Sequence, residues 1–328
     1  MSSSRQNLLK PLISSRVSLA PMAGVTDLVL RDLVREYSKN CLITTEMISS
    51  ELLNQKNRET DMTAQKPNHH PIAYQVSGHK PDLIRKSAEI LSPMCDIFDI
   101  NMGCPVKKVV NGNDGSALMK TPELAQDLVR GAKEGTTKPV SVKFRLGYTS
   151  DTMNFVEFGQ KMQEAGADFI TIHGRTRAQM YSGQADWKKI SELTQNIDIP
   201  VFANGDVVSL ETAIQCLEES KADGIAIGRG IMGDPTLIHR VEHYLQTGEK
   251  LAPPTIDEKI EILKHHLQME IDFRGPNIGV KFMRKLIPYY ISGVKNASKV
   301  RAEIVLEDNP DKIFEILNSM QKNILQFQ

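Results

Sequence analysis

The stretch Ile97-Phe-Asp-Ile-Asn-Met-Gly-Cys-Pro105 decides how the rest of the chain is interpreted. It begins as an apolar run with one acid, and a glycine and a proline follow closely. This order is typical of a short buried strand that ends in a tight turn. Cys104 lies in the turn, where a side chain can point outward and take part in acid–base or nucleophilic chemistry. A buried structural thiol fits the same stretch, so the surrounding chain has to decide between the two.

The same order of an apolar run and a helix-periodic segment recurs along the chain. The predicted strands are residues 17–20, 42–45, 71–76, 97–101, 140–145, 169–173, 201–204 and 224–227, each followed by a predicted helix. Eight such units over roughly 230 residues predict an α/β protein with a (β/α)8 TIM barrel. A doubly wound sheet uses the same alternation, but eight units would make it very wide.

The composition changes after Gly248. Leu251-Ala-Pro-Pro254 is a stiff connector. Beyond it, helical periodicity covers residues 256–271, 278–290 and 309–327, and no further strand pattern occurs. We therefore divide the chain into an N-terminal tail (1–15), a barrel (16–250) and a small C-terminal helical domain (251–328).

Composition excludes several classes of protein. The 328 residues include 40 Lys and Arg and 40 Asp and Glu, so neither a uniformly basic coat nor an acidic tail is present. The four cysteines form no CxxC pair and no ligand spacing with histidine, which predicts a reducing compartment and no metal site. Residues 1–15 lack the apolar core of a signal peptide, and no run of about 18 apolar residues occurs. We expect a cytoplasmic protein with no membrane partner.

Polar or charged residues stand at the end of nearly every predicted strand, where barrel enzymes carry their chemistry. One such residue can be a satisfied polar group of the core, but eight groups at one rim indicate a functional site. They are Pro21-Met22-Ala23, Glu46, Gln75, Asn101 with Cys104 beyond it, Lys143 with Arg145, His173, Asn204-Gly205-Asp206, and Gly228-Arg229.

The last two strand ends are predicted to bind an anion. Gly205 and Gly228 let backbone N–H groups approach a ligand closely, and the loops after strands seven and eight of barrels commonly hold a phosphate. Arg229 adds a charge-assisted donor. Lys143 is expected to reach an anion or an electron-rich ring edge, and His173 to donate to ligand oxygens. A solvated rim lysine and a satisfied core histidine are the alternatives.

Six short phrases occur in a fixed order across the predicted barrel. They are Ala20-Pro-Met-Ala-Gly-Val-Thr-Asp27, Asn101-Met-Gly-Cys-Pro105, Val142-Lys-Phe-Arg-Leu-Gly147, Ile172-His-Gly-Arg-Thr-Arg177, Ala203-Asn-Gly-Asp206 and Ile227-Gly-Arg229. In their order and spacing they resemble the tRNA-dihydrouridine synthases, and most closely the bacterial B-type branch of that family. The phrase around Cys104 is the most specific of the six.

This resemblance implies a barrel that binds FMN, a helical domain that helps to hold tRNA, and NADPH as electron donor. It implies reduction of a uridine to 5,6-dihydrouridine, with a hydride from N5 of FMN to C6 and a proton from Cys104 to C5. A thiol suits that task because its ordinary pKa of about 8.5 keeps it protonated near neutral pH. Asn101 and Arg145 are implied near the uracil and the flavin. The residues implied around FMN are Pro21, Met22, Ala23, Gln75, Lys143, His173, Asn204, Gly205, Asp206, Gly228 and Arg229.

A basic segment lies within the predicted helical domain. Residues 274–301 contain seven Lys or Arg and no Asp or Glu. A local basic face on a neutral protein is what binding along an RNA backbone needs, although a solvated helix face is the alternative. We predict that Lys281, Arg284 and Lys285 contact tRNA. Lys107 and Lys108, beside Cys104, are predicted to contact phosphates that flank the target base, which must leave its stack to react.

Three other functions fit parts of the pattern. An FMN barrel acting on a free pyrimidine, as dihydroorotate dehydrogenases do, would not need the basic helical segment. A non-catalytic RNA-binding barrel would need neither Cys104 nor Lys143. A phosphate-binding lyase or isomerase would bind no flavin. We expect the protein to be a monomer.

Overall fold

A closed ring of parallel strands forms the centre of the chain, in a computed structural model that describes residues 3–56, 63–294 and 296–325. The strands are β1 (Val17–Leu19), β2 (Leu42–Thr44), β3 (Ile48–Ser49), β4 (Ile72–Ser77), β5 (Ile97–Asn101), β6 (Val140–Arg145), β7 (Phe169–His173), β8 (Val201–Asn204) and β9 (Gly224–Ile227). β2 pairs with β4, the following strands pair in order, and β9 returns to β1. β3 is a two-residue addition paired with β4. A sheet that closes on itself confirms the (β/α)8 barrel and excludes the doubly wound sheet.

Helices surround this ring and continue beyond it. They are α1 (Ser3–Leu12), α2 (Leu28–Tyr37), α3 (Ser50–Lys56), α4 (Pro81–Leu91), α5 (Lys107–Val110), α6 (Pro122–Gly135), α7 (Phe155–Glu164), α8 (Trp187–Thr194), α9 (Leu210–Ser220), α10 (Leu237–Thr247), α11 (Ile256–Arg274), α12 (Pro276–Met283), α13 (Ile287–Tyr290), α14 (Ala297–Leu306) and α15 (Pro310–Leu325). Among the described residues, no helix is long and apolar enough to span a bilayer.

Capping residues next to the first turn fix where the outer helices begin. The side chain of Asp27 accepts a hydrogen bond from the N–H of Leu30 at 2.9 Å and so caps α2. Ser209 and Thr212 form a capping box at the start of α9. The strands are buried on both faces, as parallel strands under helices must be. The ring is therefore a packed frame, and its strand ends are held in fixed positions.

Helix α1 closes one end of the barrel. Its Leu9 is buried in a small apolar cluster with Phe169 and Phe202, whose rings meet edge to face with centroids 4.8 Å apart. These phenylalanines lie at the N-terminal ends of β7 and β8, so the cluster fills the bottom of the ring. Residues 3–12 of the predicted tail are thus helical. The opposite end, at the carboxyl ends of the strands, stays open.

The chain after Pro254 is helical, as its periodicity predicts. The prediction of one continuous helix over residues 278–290 is wrong, because α12 ends at Met283 and α13 begins at Ile287. Pro288 explains the break, since a proline inside a helix lacks an N–H and clashes with the carbonyl one turn earlier. The sequence did not predict α14.

A partly buried ionic cluster attaches these helices to the barrel. Arg274 of α11 donates to Asp27, at the start of α2, and at 2.7 Å to Glu270. Burial raises the pKa of Glu270 to about 8, with a further contribution from the nearby charge of Asp27. The backbone of Tyr289 also approaches Gly233, where an added Cβ would come within 2.5 Å of it. These contacts hold Tyr289 beside the open end of the barrel.

Candidate active site

The open end of the barrel holds a cavity of about 400 Å³. This volume lies in the range of cofactor and small-molecule sites, about 300–1,000 Å³. Every barrel residue predicted at the strand ends for catalysis or cofactor binding lines it, as do the two predicted near the uracil. They are Pro21, Met22, Ala23, Gln75, Asn101, Cys104, Lys143, Arg145, His173, Asn204, Gly205, Asp206, Gly228 and Arg229. A second depression, of about 650 Å³, lies between the outer helices α3 and α4, away from the strand ends.

A chain of buried hydrogen bonds links two strand ends to the Cys104 turn. Gln75 donates to Asp99 at 2.6 Å and accepts from Asn101 at 2.7 Å. The side-chain oxygen of Asn101 then accepts from the N–H groups of Gly103, at 3.2 Å, and Cys104, at 2.9 Å. Because each amide has a defined donor and acceptor, the orientations of Gln75 and Asn101 are fixed. Asn101 therefore holds the Cys104 turn in place through these two hydrogen bonds.

Cys104 is the one partly exposed thiol of the four cysteines; the others are buried. Burial raises the pKa of the Cys104 thiol, while the N–H of Val106 and the charges of Arg145 and Lys143 act in the opposite direction. With a raised pKa, the thiol keeps its proton near neutral pH. This protonation state suits a proton donor better than a thiolate nucleophile.

Lys143, on β6, places a partly buried amine in the wall of the cavity. Its Nζ donates to the side-chain oxygen of Asn204 at 3.0 Å, and Asn204 in turn donates to the carbonyl of Ala226 at 2.7 Å. Burial lowers the pKa of Lys143 to about 8, and the charge of Arg145 adds to this effect. Of the described carboxylates, none lies within ion-pair distance of Lys143, so an anionic or electron-rich ligand edge would meet no competitor.

Arg145 lines the cavity, but its main hydrogen bonds are structural. Its Nε donates to the carbonyl of Gly103 at 2.8 Å, and its Nη1 donates to the carbonyls of Thr176 and Met180. Burial lowers the pKa of Arg145 to about 10, which still leaves it charged near neutral pH. The residue ties the Cys104 turn to the loop after β7.

His173 is held in its neutral form. Burial lowers its pKa well below the ordinary range, and the charges of Arg145, Lys143 and Arg175 act in the same direction. Arg175 approaches the Nε2 atom of His173 at 3.3 Å, which leaves Nδ1 to carry the ring proton. A neutral histidine can donate one hydrogen bond to a ligand oxygen without adding charge to the site.

The predicted anion site contains an acid that is already paired. Asp206 accepts from Arg175 at 2.6 Å, from the N–H of Ala185 at 2.7 Å and from Arg229 at 3.2 Å. Its carboxylate therefore orients Arg229 and would repel a phosphate at close range. The side chain of Arg229 is 45% exposed and keeps donors for a ligand. Gly205, at φ +118°, leaves room that a Cβ would close, at 2.8 Å from Ala185.

The basic residues predicted to contact tRNA lie outside the cavity and differ from one another. Lys107 and Lys108 are exposed on α5, and Lys281 is exposed on α12. Arg284 is engaged by Asp308 at 2.6 Å and by the carbonyl of Glu307, so it braces the turn before α15. Lys285 packs over the Phe282 ring at 3.6 Å. Lys295, in the same basic segment, lies outside the described residues.

Two aromatic residues at the mouth were not among the predicted site residues. Tyr181 is 53% exposed and Tyr289 is 46% exposed, and both line the cavity. Arg229 lies 4.8 Å from the centroid of the Tyr181 ring. Tyr181 follows the Ile172–Arg177 phrase in a loop without periodicity, so the sequence carries no signal of its position. Tyr289 reaches the mouth through the docking of the C-terminal helices.

The chain is similar to known proteins along nearly its whole length. The family described as Dihydrouridine synthase (Dus) matches residues 18–326. A probable tRNA-dihydrouridine synthase of Rickettsia conorii is 38% identical over 317 residues, covering 94% of this chain and 96% of that protein. The tRNA-dihydrouridine synthase B of Shewanella oneidensis is 37% identical over 284 residues, covering 85% and 87% respectively. A solved old yellow enzyme homologue from Zymomonas mobilis covers 74% of this chain and 92% of its own, with a TM-score of 0.47 and 14% identity, which is too distant to inform the site.

Proposed function

The chain belongs to the dihydrouridine synthase family, and from that premise we propose that its barrel cavity binds FMN and reduces a tRNA uridine to 5,6-dihydrouridine, with NADPH as electron donor. The enzyme is a flavin-dependent oxidoreductase that acts on tRNA. The observation that carries the proposal is the position of Cys104, a partly exposed thiol on a braced turn that lines a cavity of about 400 Å³. A monomer in the cytoplasm remains our prediction.

In this proposal Cys104 is the acid. The flavin, when bound, supplies a hydride to C6 of the uracil ring, which leaves negative charge on C5 and on the C4 oxygen. The S–H bond of Cys104 breaks as a C5–H bond forms, and a thiolate remains. The charges of Arg145 and Lys143 favour that thiolate, since both lower the pKa of Cys104. The thiolate then regains a proton from water.

The residues around the cavity suit a flavin mononucleotide. Met22 and Pro21 offer an apolar wall for the ring system, and Lys143 offers a cation for its polar edge. Gly228 also lines the cavity, and a Cβ there would meet no atom nearer than the sulfur of Met22, at 3.6 Å. Arg229, oriented by Asp206, supplies a positive charge for the phosphate. The cofactor predictions for these residues therefore have a physical basis in charge, shape and exposure.

The function is tested by single-turnover reduction of unmodified tRNA. We expect purified protein, with NADPH, to form dihydrouridine at specific positions, detected by the mass of the digested nucleosides. Free uridine and dihydroorotate serve as comparison substrates, and we expect little turnover of either. If the protein oxidises NADPH but leaves every tRNA uridine unchanged, the proposed flavin site is supported and tRNA is ruled out as the substrate.

The phosphate contact gives a separate prediction. Arg229→Gln should weaken FMN binding by about 10- to 100-fold, because a hydrogen bond to a charged group contributes about 1.5–3 kcal/mol. Binding of each flavin to flavin-free protein is followed by quenching of flavin fluorescence. Riboflavin, which lacks the phosphate, is the matched control ligand, and its affinity should change little. Equal losses for both flavins would show that Arg229 acts on the fold of the cavity and not on the phosphate.

A further inference from the structure

Two cations around Tyr148 take no part in the proposed mechanism. The Nζ atom of Lys120 lies 3.6 Å from the centroid of the Tyr148 ring, and the Cζ atom of Arg177 lies 5.0 Å from the same centroid. Both are attracted by the electron-rich face of the ring. Across the described ranges, no carboxylate lies within ion-pair distance of either cation. The Nε of Arg177 is also buried and has no hydrogen-bond partner.

This arrangement leaves charge uncompensated. Since both distances are measured to one centroid, Lys120 and Arg177 lie closer together than the Debye length of about 10 Å at 0.1 M salt. Their repulsion is therefore only weakly screened. A buried guanidinium N–H without an acceptor adds a desolvation cost. One anion that reaches the accessible nitrogens of both side chains would remove the repulsion.

The cluster lies on the same face of the barrel as the cavity. The N–H of Arg177 donates to the carbonyl of Gly147 at 2.9 Å, which joins the loops after β6 and β7. Lys120 ends the 3₁₀ turn Gly115–Lys120, and Ser116 of that turn donates to the carbonyl of Cys104 at 2.8 Å. Three rim loops therefore meet at Tyr148, and one of them is bonded directly to the Cys104 turn.

We propose that Lys120, Tyr148 and Arg177, here called the rim site, bind a phosphodiester of the RNA strand next to the target uridine. The inference rests on the proposed function, because only an RNA substrate brings phosphates to this face while its base enters the cavity. Arg177 offers the planar fork that suits phosphate oxygens, and Lys120 offers a point charge. The Tyr148 ring holds both cations and so reduces the entropy lost on binding. Contacts of this kind fix the position of a strand and are independent of base identity.

The test is the salt dependence of tRNA binding by the flavin-loaded enzyme. In the double variant Lys120→Gln/Arg177→Gln we expect the Kd for tRNA to rise by about tenfold or more. The slope of log K against log salt should fall by about 0.7–0.9, the contribution of one phosphate contact. The single variant Arg177→Lys keeps both positive charges of the rim site, so its salt slope should equal that of the wild type. The matched control is Lys221→Gln, an exposed lysine at the end of α9, on the opposite face.

The outcomes separate the rim site from the proposed function. Unchanged affinity and slope in the double variant, with a wild type that forms dihydrouridine, would overturn the rim site alone. A wild type that leaves tRNA unreduced would overturn the proposed function. Flavin content and melting temperature are measured for each variant. A phosphate contact would also be contradicted if Arg177→Lys lost as much affinity for tRNA as the double variant, while the salt slope and the melting temperature of both variants stayed unchanged.

Discussion

Replacing Cys104 with alanine is expected to slow dihydrouridine formation by about 10²–10⁴-fold, the usual contribution of a positioned general acid. The loss should fall on the proton transfer to C5, because the thiol is the partly exposed acid on the turn at the mouth of the cavity. Flavin binding should persist, since the turn is held by Asn101 through the backbone N–H of Cys104 and not through its sulfur. Single-turnover rates on unmodified tRNA, with flavin absorbance recorded on the same sample, measure both effects.

Controls for this variant come from the same chain. Cys216→Ala removes a buried thiol of α9 and should keep the rate near that of the wild type, apart from a modest loss of stability. Because burial raises the pKa of Cys104, ionisation of its thiol should lower the wild-type rate only above the ordinary thiol pKa of about 8.5. A change nearer pH 8 would report the loss of the Lys143 proton. A Cys104→Ala variant that reduces tRNA at the wild-type rate would assign the proton to another group.

The barrel was predictable because its signals are local and repeated. Strands β5 to β9 begin and end at the predicted residues, since each is an apolar run bounded by turn residues or by a proline. The position of Cys104 followed from the same logic, because a turn directly after a strand must lie at the rim. The predicted strand-end residues other than Glu46 line one cavity for that reason: parallel strands in a closed ring bring their carboxyl ends together. Glu46 does not line the cavity, and its carboxylate accepts a hydrogen bond from the N–H of Gly24 instead.

Partnerships between distant residues were not predictable. Nothing near Asp206 in sequence indicates that Arg175 and Arg229 share its carboxylate, and nothing near Arg284 indicates Asp308. For Asp206 and Arg284, the residue type predicted a contact with a ligand, but the structure shows an ion pair within the protein. Tyr289 reaches the cavity through tertiary docking, which depends on the cluster around Arg274. Local periodicity carries no information on such contacts.

Replacing Lys143 with methionine is expected to lower the midpoint potential of the bound flavin by about 60–85 mV and to slow reduction of the flavin by NADPH by about 10²–10³-fold. The reduced flavin carries negative charge at its polar edge, and Lys143 is a cation that no described carboxylate neutralises. Removing one such group from an electrostatic site typically costs about 2.7–4 kcal/mol, and 30 mV of a two-electron couple corresponds to about 1.4 kcal/mol. Methionine keeps much of the side-chain volume, so the cavity wall should persist. Spectroelectrochemical titration of both proteins gives the two potentials.

The difference in midpoint potential between the wild type and Lys143→Met should depend on pH, and this dependence tests whether the charge of Lys143 causes it. With the pKa of Lys143 lowered to about 8, the amine is protonated below that pH and loses its proton above it. Above pH 8, reduction of the wild-type flavin must therefore draw a proton onto Lys143, and the wild-type potential should fall more steeply than that of Lys143→Met. The gap between the two potentials should be widest below pH 8 and should narrow as the pH rises. A gap that stays constant from pH 6 to pH 10 would mean that Lys143 shapes the cavity and does not stabilise charge on the flavin.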